Sequence, residues 1–528
     1  MSGILERMRL PVFALLLTRV MSVLAQSQHP RDSQIHDADT RAWWHTTEAL
    51  SGDDMQGRDT GSAAYQRAAS YVAARFKAAG LQPAGDDGSY FQSVPMHEVA
   101  VTPAGTSFTL VRADGSETTL AFLQQITIAP AAGLPTQLEG ALTFRGYCGK
   151  NATADITGSI VVCFGTQRAG LPSSAERAAN ARDGGALGLI NIDDPYFTIE
   201  PPRWPYAYAR TVKLQASPEA VTRPLATLAT MRISAAAAAS VFAGTGQDVA
   251  AILKLGGAKQ ALPNFDIPAT LRMRLSLAER DLSSPSVLAR LPGIDPKLVN
   301  EHVVIAAHLD GYGFGTPVDG DNLYNGTLDD AAYVALLIQM ADNLKAHKLA
   351  APKRSILFAA FTGEEKGLLG SNWFVAHPSL PLGQLAADIN LDQLRPLFPL
   401  RILTAEALTD TTLGETARSV AASLHIEIRA DSEPERNLLQ RADQYPFLMA
   451  HVPAISFIFG YDPNTDAEAR YREWYQVRYH RPQDDLTQPV DFAAAAKFDT
   501  YFYRLVEAIA NAASRPTIYA TSVFALSN

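Results

Sequence analysis

From about residue 287 to the C-terminus, short fully apolar runs alternate with stretches in which apolar residues recur at helical spacing. Residues 303–307, 355–361, 387–391 and 454–459 have the length and composition of buried strands. Residues 331–344, 367–376, 411–424 and 492–512 read as helices, and the aromatic, charged stretch from Asp462 as a loop. Such alternation leads to a largely parallel sheet covered by helices on both faces. In sheets of that kind the ligand site lies beyond the carboxyl ends of the strands. Here His308 follows the first run, Glu364 and Glu365 the second, and Asp392 the third.

Upstream the pattern differs. Residues 39–79 are helical, with Ala68, Ala69, Val72, Ala73 and Phe76 on one face and Gly80 as a stop. Residues 55–61 read as a loop, and residues 90–130 as short strand-like runs. Residues 131–263 form another unit, with a β run at 158–164, a helix at 175–183 and an alanine-rich helix start at 235–239. A chain of 528 residues exceeds one ordinary core. The expected division is residues 39–130 and 264–528 for the main domain, with 131–263 inserted between them.

At the N-terminus, Arg7 and Arg9 precede an apolar run at 10–17 and small residues at 23–25. This predicts a signal peptide over 1–25 and export to the periplasm or the exterior. The polar residues 26–38 are expected to be disordered. No stretch reaches the roughly 18 apolar residues of a membrane span. A net charge of −9 argues against nucleic acid as a partner. The two cysteines, Cys148 and Cys163, exclude a cysteine-ligated zinc site. They are either buried thiols or, in an exported protein, one disulfide.

The chemistry resides in His308, Asp329, Glu365, Asp392 and His480. Two imidazoles and three carboxylates are one ligand more than a tetrahedral zinc requires. If one carboxylate bridges, the same set holds two zinc ions, each with three protein ligands and an open position. Taken singly, each residue has a plainer reading; Asp329, for example, also suits a helix N-cap. Adjacent Glu364 and Glu365 repel one another unless a cation or proton intervenes. Asp310 is expected to accept the second ring N–H of His308, and Asp484 or Asp485 that of His480.

In this order, His, Asp, Glu-Glu, Asp and His on an α/β core, the chain resembles the co-catalytic di-zinc aminopeptidases, family 28 of the metallopeptidases. That family also includes glutamate carboxypeptidases and, more distantly, glutaminyl cyclases. Met55-x-Gly57-Arg58-x-Thr60-Gly61-Ser62 is similar to the family's opening segment, and residues 441–447 with 452–454 to its late substrate-side loop. Residues 131–263 resemble the protease-associated domain of secreted members.

The resemblance implies a three-layer zinc-exopeptidase fold with a mostly parallel central sheet and a small α/β insert. It implies that Asp329 bridges two zinc ions, Glu365 and His480 completing one site, His308 and Asp392 the other. Glu364 is then the general base, Asp310 the residue that orients His308, and the Asp329–Asp330 peptide is cis. The implied activity is removal of the N-terminal residue from peptides with a free N-terminus. The alternatives are a glutamate-type carboxypeptidase, with Arg441 and Arg481 gripping the substrate carboxylate, and an inactive receptor-like binding protein. Ala442-Asp443-Gln444 replaces the common Ser-Asp-His, and Ala332-Tyr333 a small Ser-Gly pair. Both departures bear on substrate preference.

Overall fold

The computed structural model describes residues 29–215, 227–392 and 395–526. The leader over 1–25 and residues 26–28 lie outside the described residues. Among the described residues sixteen strands form one continuous sheet. Across the larger lobe its order is Glu427–Ala430, Ile402–Glu406, Ala454–Gly460, Leu385–Leu391, His302–His308, Ser355–Phe361 and Asn264–Leu291. The four strands from Ala454 to Ser355 are mutually parallel. The Ile402 and Asn264 strands flank them antiparallel.

The three layers follow from which side of each strand is apolar. Val303, Ile305, Ala307, Ala387 and Ile389 face a core shared with helices Ala38–Ser51, Ala63–Ala78, Ala332–Lys345 and Phe492–Asn511. Val304, Ala306, Leu357 and Ala359 face a smaller core closed by Phe374 and Phe447 of helices Leu369–Ala376 and Gln444–Met449. Central strands buried on both faces are continuous apolar runs, which is why their limits were readable.

Two long strands escaped the sequence reading. Phe91–Arg112 and Asn264–Leu291, of 22 and 28 residues, pair along most of their length and run through both lobes. Charged residues at 279–281 interrupt the apolar pattern of the second where it crosses between cores. The second core therefore exceeds the expected 131–263 segment. It also takes in Phe108, Leu110 and Ile126 upstream, and Leu271 and Met273 downstream. Cys148 and Cys163 of this lobe are disulfide-bonded.

Two other expectations are corrected. Residues 29–38 are ordered: Ile35 is buried, and Arg31 lies over the rings of Trp44 and Phe492 while donating to the Gln488 carbonyl at 2.9 Å. The segment following Asp462, expected as a loop, contains helix Asp466–Val477. Its charges hide an inward face of Tyr471, Trp474 and Tyr475 at helical spacing, and Thr465 caps its N-terminus.

Arg58, fully buried, ties the N-terminal helices to the loops above the sheet. It donates to the carbonyls of Leu309, Leu50, Asn325 and Gly326 at 2.7–2.8 Å. Arg58→Met leaves these buried acceptors without partners. It should lower the unfolding free energy by about 3–5 kcal/mol, measured by denaturant titration of variant and wild type at equal zinc.

Candidate metal centre

The site is assembled from the ends of neighbouring strands. His308 ends the His302–His308 strand, which lies between the Ser355–Phe361 and Leu385–Leu391 strands. Parallel pairing brings their carboxyl ends to one edge. Glu364 and Glu365 follow Phe361 after a left-handed turn at Gly363, and Asp392 directly follows Leu391. Asp329 comes from the turn Thr327–Ala331 ahead of helix Ala332–Lys345, and His480 from the turn after helix Asp466–Val477. Gly326 has φ 62°, and a Cβ there would overlap the Asp329 carbonyl. The Asp329–Asp330 peptide is cis.

All five predicted ligands meet. His308 Nε2 is 3.4 Å from Asp329 Oδ1 and 4.0 Å from Asp392 Oδ1. His480 Nε2 is 3.3 Å from Asp329 Oδ2 and 3.2 Å from Glu365 Oε2. The cluster thus divides into His308–Asp329–Asp392 and Asp329–Glu365–His480, each able to hold a metal ion, with Asp329 common to both. His308 Nε2, Asp329 Oδ2 and Asp392 Oδ1 are buried without a hydrogen-bond partner. Buried acceptors left open in one small space fit cations and fit little else. A donor set of imidazole nitrogen and carboxylate oxygen suits zinc. Glu364 stands beside the cluster, its Oε2 3.9 Å from His308 Nε2.

The groups that orient the ligands differ in part from expectation. The Asp310 backbone carbonyl, not its carboxylate, lies 3.1 Å from His308 Nδ1; the carboxylate is 3.8 Å away. That carboxylate instead accepts from Thr60 Oγ1 at 2.9 Å and from the Glu364 backbone N–H at 3.0 Å. It therefore fixes the turn that presents Glu364. For His480 neither Asp484 nor Asp485 serves. Asp484 accepts from the Leu328 N–H and Gln488, and Asp485 from Thr487. Tyr312 Oη lies 2.8 Å from His480 Nδ1 and takes the partner role. Asp330 accepts from the His308 backbone N–H at 3.2 Å.

Arg395 was not anticipated from sequence. It lies 3.7 Å from Asp329 Oδ2, donates to the Leu328 carbonyl at 2.5 Å and stacks 3.9 Å over Trp474. Its only signal was a cation three residues after Asp392. Arg441 and Arg481, considered as grips for a substrate carboxylate, are engaged elsewhere. Arg441 forks onto Glu200 at 2.6 and 3.0 Å, and Arg481 donates to the Trp204 carbonyl at 2.9 Å.

Electrostatics mirror the crowding. Burial pushes the Glu365 carboxyl up to about 8, helped by Asp329, and that of Asp392 up to about 6. Burial also holds Glu364 well above the ordinary range. Burial and nearby Arg203 bring His480 down to about 3. For Asp329 burial is outweighed by Arg395 and the two imidazoles, which keep it ionised. Burial likewise opposes charge on His308, but Glu364 and Asp330 outweigh it and raise its pKa.

Residues 286–506, which hold all five ligands, match the sequence model described as peptidase family M28. A probable zinc metalloprotease of Pyrenophora tritici-repentis is 27% identical over 268 residues, 44% of this chain and 58% of that protein. Aminopeptidase YwaD of Bacillus subtilis is 28% identical over 187 residues, 35% of this chain and 36% of its own. The match thus spans little more than half the length of the first of these relatives and about a third of the second. Among solved structures, an aminopeptidase from Aneurinibacillus sp. strain AM-1 superposes with a TM-score of 0.59 at 18% identity, over 90% of this chain and 95% of its own. The zinc aminopeptidase BSAP from Bacillus subtilis gives 0.55 at 18% identity, over 88% and 94%. Both share the two-lobed α/β fold.

In the metal-free protein, Glu365 keeps its proton to higher pH when folded than when unfolded. Stability therefore falls as pH rises from the ordinary carboxylate range, about 4, towards 8. His308, raised, works in the same direction above about 6.5, whereas His480, lowered, opposes only below about 6.5. Between about pH 6.5 and 8 the melting temperature of chelator-treated protein should fall, and added zinc should remove the fall. Thermal melting with and without zinc checks this; identical curves would count against a metal centre here.

Proposed function

We propose that this chain, which resembles peptidase family M28 across residues 286–506, is an exported zinc aminopeptidase that holds two zinc ions and releases the N-terminal residue of peptides. The observation that supports it most is the pair of ligand groups sharing Asp329, with Glu364 alongside. Zinc bound there would polarise the scissile carbonyl and make water acidic enough to supply hydroxide near neutral pH. Glu365 and His480 would hold one ion and His308 and Asp392 the other, with Asp329 available to both. Tyr312 and the Asp310 carbonyl fix the two imidazoles with Nε2 inward, so that Nδ1 carries the proton.

Glu364 removes a proton from the attacking water and delivers it to the leaving amine nitrogen. In the metal-free protein burial, with the charges of Asp392 and Glu365, keeps its carboxyl protonated to higher pH than a solvated one. The Asp310 carboxylate acts indirectly, holding the backbone N–H of Glu364 and so the position of the base. The protein names aminopeptidase YwaD and BSAP support the aminopeptidase over the carboxypeptidase reading. So does the commitment of Arg441 and Arg481 to partners within the protein. A complete ligand set with a base beside it supports an enzyme over a receptor-like scaffold. Export draws support from the Cys148–Cys163 disulfide, a bond that persists in oxidising compartments. Among the described residues no helix is long and apolar enough to cross a membrane.

Glu364→Gln keeps the shape and removes the base. Turnover of aminoacyl anilides should drop by about 10²- to 10⁴-fold, with two zinc ions per chain still found by elemental analysis. Near-wild-type turnover would remove Glu364 from this role. Cleavage of amino-blocked but not carboxy-blocked peptides would overturn the aminopeptidase reading.

A further inference from the structure

The inserted lobe sends the segment around Glu200–Tyr208 across to the metal centre, where its Glu200 meets guanidinium groups of the larger lobe. Glu200 faces three guanidinium groups. Arg441 forks onto it, Arg203 Nη1 lies 3.2 Å from Oε1, and Arg436 Nε lies 3.8 Å from Oε2. Glu433 lies 3.5 Å from Arg436 but is also bonded to Arg472. Glu468 also pairs with Arg472, and Glu406 and Asp431 act on Arg436 as well. The excess of guanidinium over carboxylate is thus local to Glu200, where three meet one. Arg436, 1% exposed, has Nε and Nη2 buried without an acceptor. The nearby carboxylates of the insert are engaged elsewhere. Asp193 is taken by Arg232 and Trp204, and Asp194 by Thr166 and Arg168.

Arg203 is the member that faces open space. Its side chain is 25% exposed, and Nη1 to Glu200 is its one hydrogen bond among the described residues. Its guanidinium lies 4.5 Å over the Tyr479 ring, and that ring lies 3.8 Å from the ring of His480. Arg203 and Glu200 also line a cavity of about 160 Å³ within the inserted lobe, with Asp193, Asp194, Tyr206 and Arg232. A planar fork with unused N–H donors, stacked on an aromatic ring and desolvated on one side, matches a carboxylate.

Resting on the aminopeptidase reading, we propose that Arg203, backed by Arg441 and Arg436, binds a carboxylate of the substrate. The preferred substrates are then di- or tripeptides with a free C-terminus, or peptides carrying an acidic side chain close to the scissile bond. The insert thereby contributes a specificity-determining residue as well as covering the cleft.

Calorimetric titration into zinc-loaded Glu364→Gln reads this without turnover. Leucylglycine should bind about 10- to 100-fold more tightly than its amide, as expected for one charge-assisted pair. Adding Arg203→Met should bring the two ligands close to parity, while Arg203→Lys should keep part of the difference. Leucylaspartamide against leucylasparaginamide tells a side-chain carboxylate from a terminal one; discrimination in either pair that Arg203→Met abolishes supports the proposal. Equal binding within both pairs, or discrimination that survives Arg203→Met, overturns it. Wild-type hydrolysis of both leucylglycine and its amide with no discrimination in binding sinks this proposal alone. Discrimination without any hydrolysis sinks the peptidase reading and leaves the carboxylate site standing.

Discussion

Four carboxylates, Asp329, Glu364, Glu365 and Asp392, share one nearly dry space at the mouth of the sheet, and the surrounding structure answers to that fact. At the distances observed, like charges in a poorly solvated region repel strongly. Arg395 compensates Asp329 from one side. Lys366, turned away towards Tyr208 and the Gly311 carbonyl, offers less. Protons or metal cations must supply the rest, which is why burial raises three of these carboxyls while Asp329, between two imidazoles and a guanidinium, remains ionised.

Holding such a cluster in register demands a rigid frame, and the frame is mostly backbone. Arg58 collects four carbonyls from the end of helix Ala38–Ser51 and from two loops. Asp310 joins Thr60 of the N-terminal segment to the Glu364 turn. Asp330 clasps the backbone of His308. None of these groups reaches a metal position, yet each determines where a ligand atom lies. Buried charges that serve as hydrogen-bond hubs, rather than apolar packing, connect the N-terminal helices to the site.

His308, Glu365 and Asp392 were legible because each follows a strand whose apolar run is unmistakable; Asp329 and His480 lie in turns and were read only from the order of the whole set. Groups selected by three-dimensional approach were not legible. Tyr312 reaches His480 across 168 positions, and no local pattern distinguishes it from any other aromatic residue. Asp310 lies beside His308 as expected, but its carbonyl and not its carboxylate is the nearer to Nδ1, a distinction that spacing cannot make. The helix Asp466–Val477 was masked by its charges, its three inward aromatic residues being fewer than a periodicity argument needs. The two long strands were hidden for a related reason: their central portions are exposed, so the apolar alternation lapses where one core ends and the next begins.

Those strands also explain how a second lobe can influence chemistry it does not perform. Because Asn264–Leu291 hydrogen-bonds to the Ser355–Phe361 strand at one end and to Gln137–Arg145 at the other, the two cores share one sheet. The crossing segment is then pinned at several points. Arg210 forks onto Asp59, the Ala207 carbonyl accepts from the Thr316 N–H at 2.8 Å, and the Trp204 carbonyl accepts from Arg481. A hinged cover would present its side chains at variable distances from the metal ligands. A cover tied into the same sheet and latched beside the site presents them at fixed ones. The carboxylate selectivity proposed for Arg203 would thus draw on both lobes together, whereas the five candidate metal ligands come from the larger lobe alone.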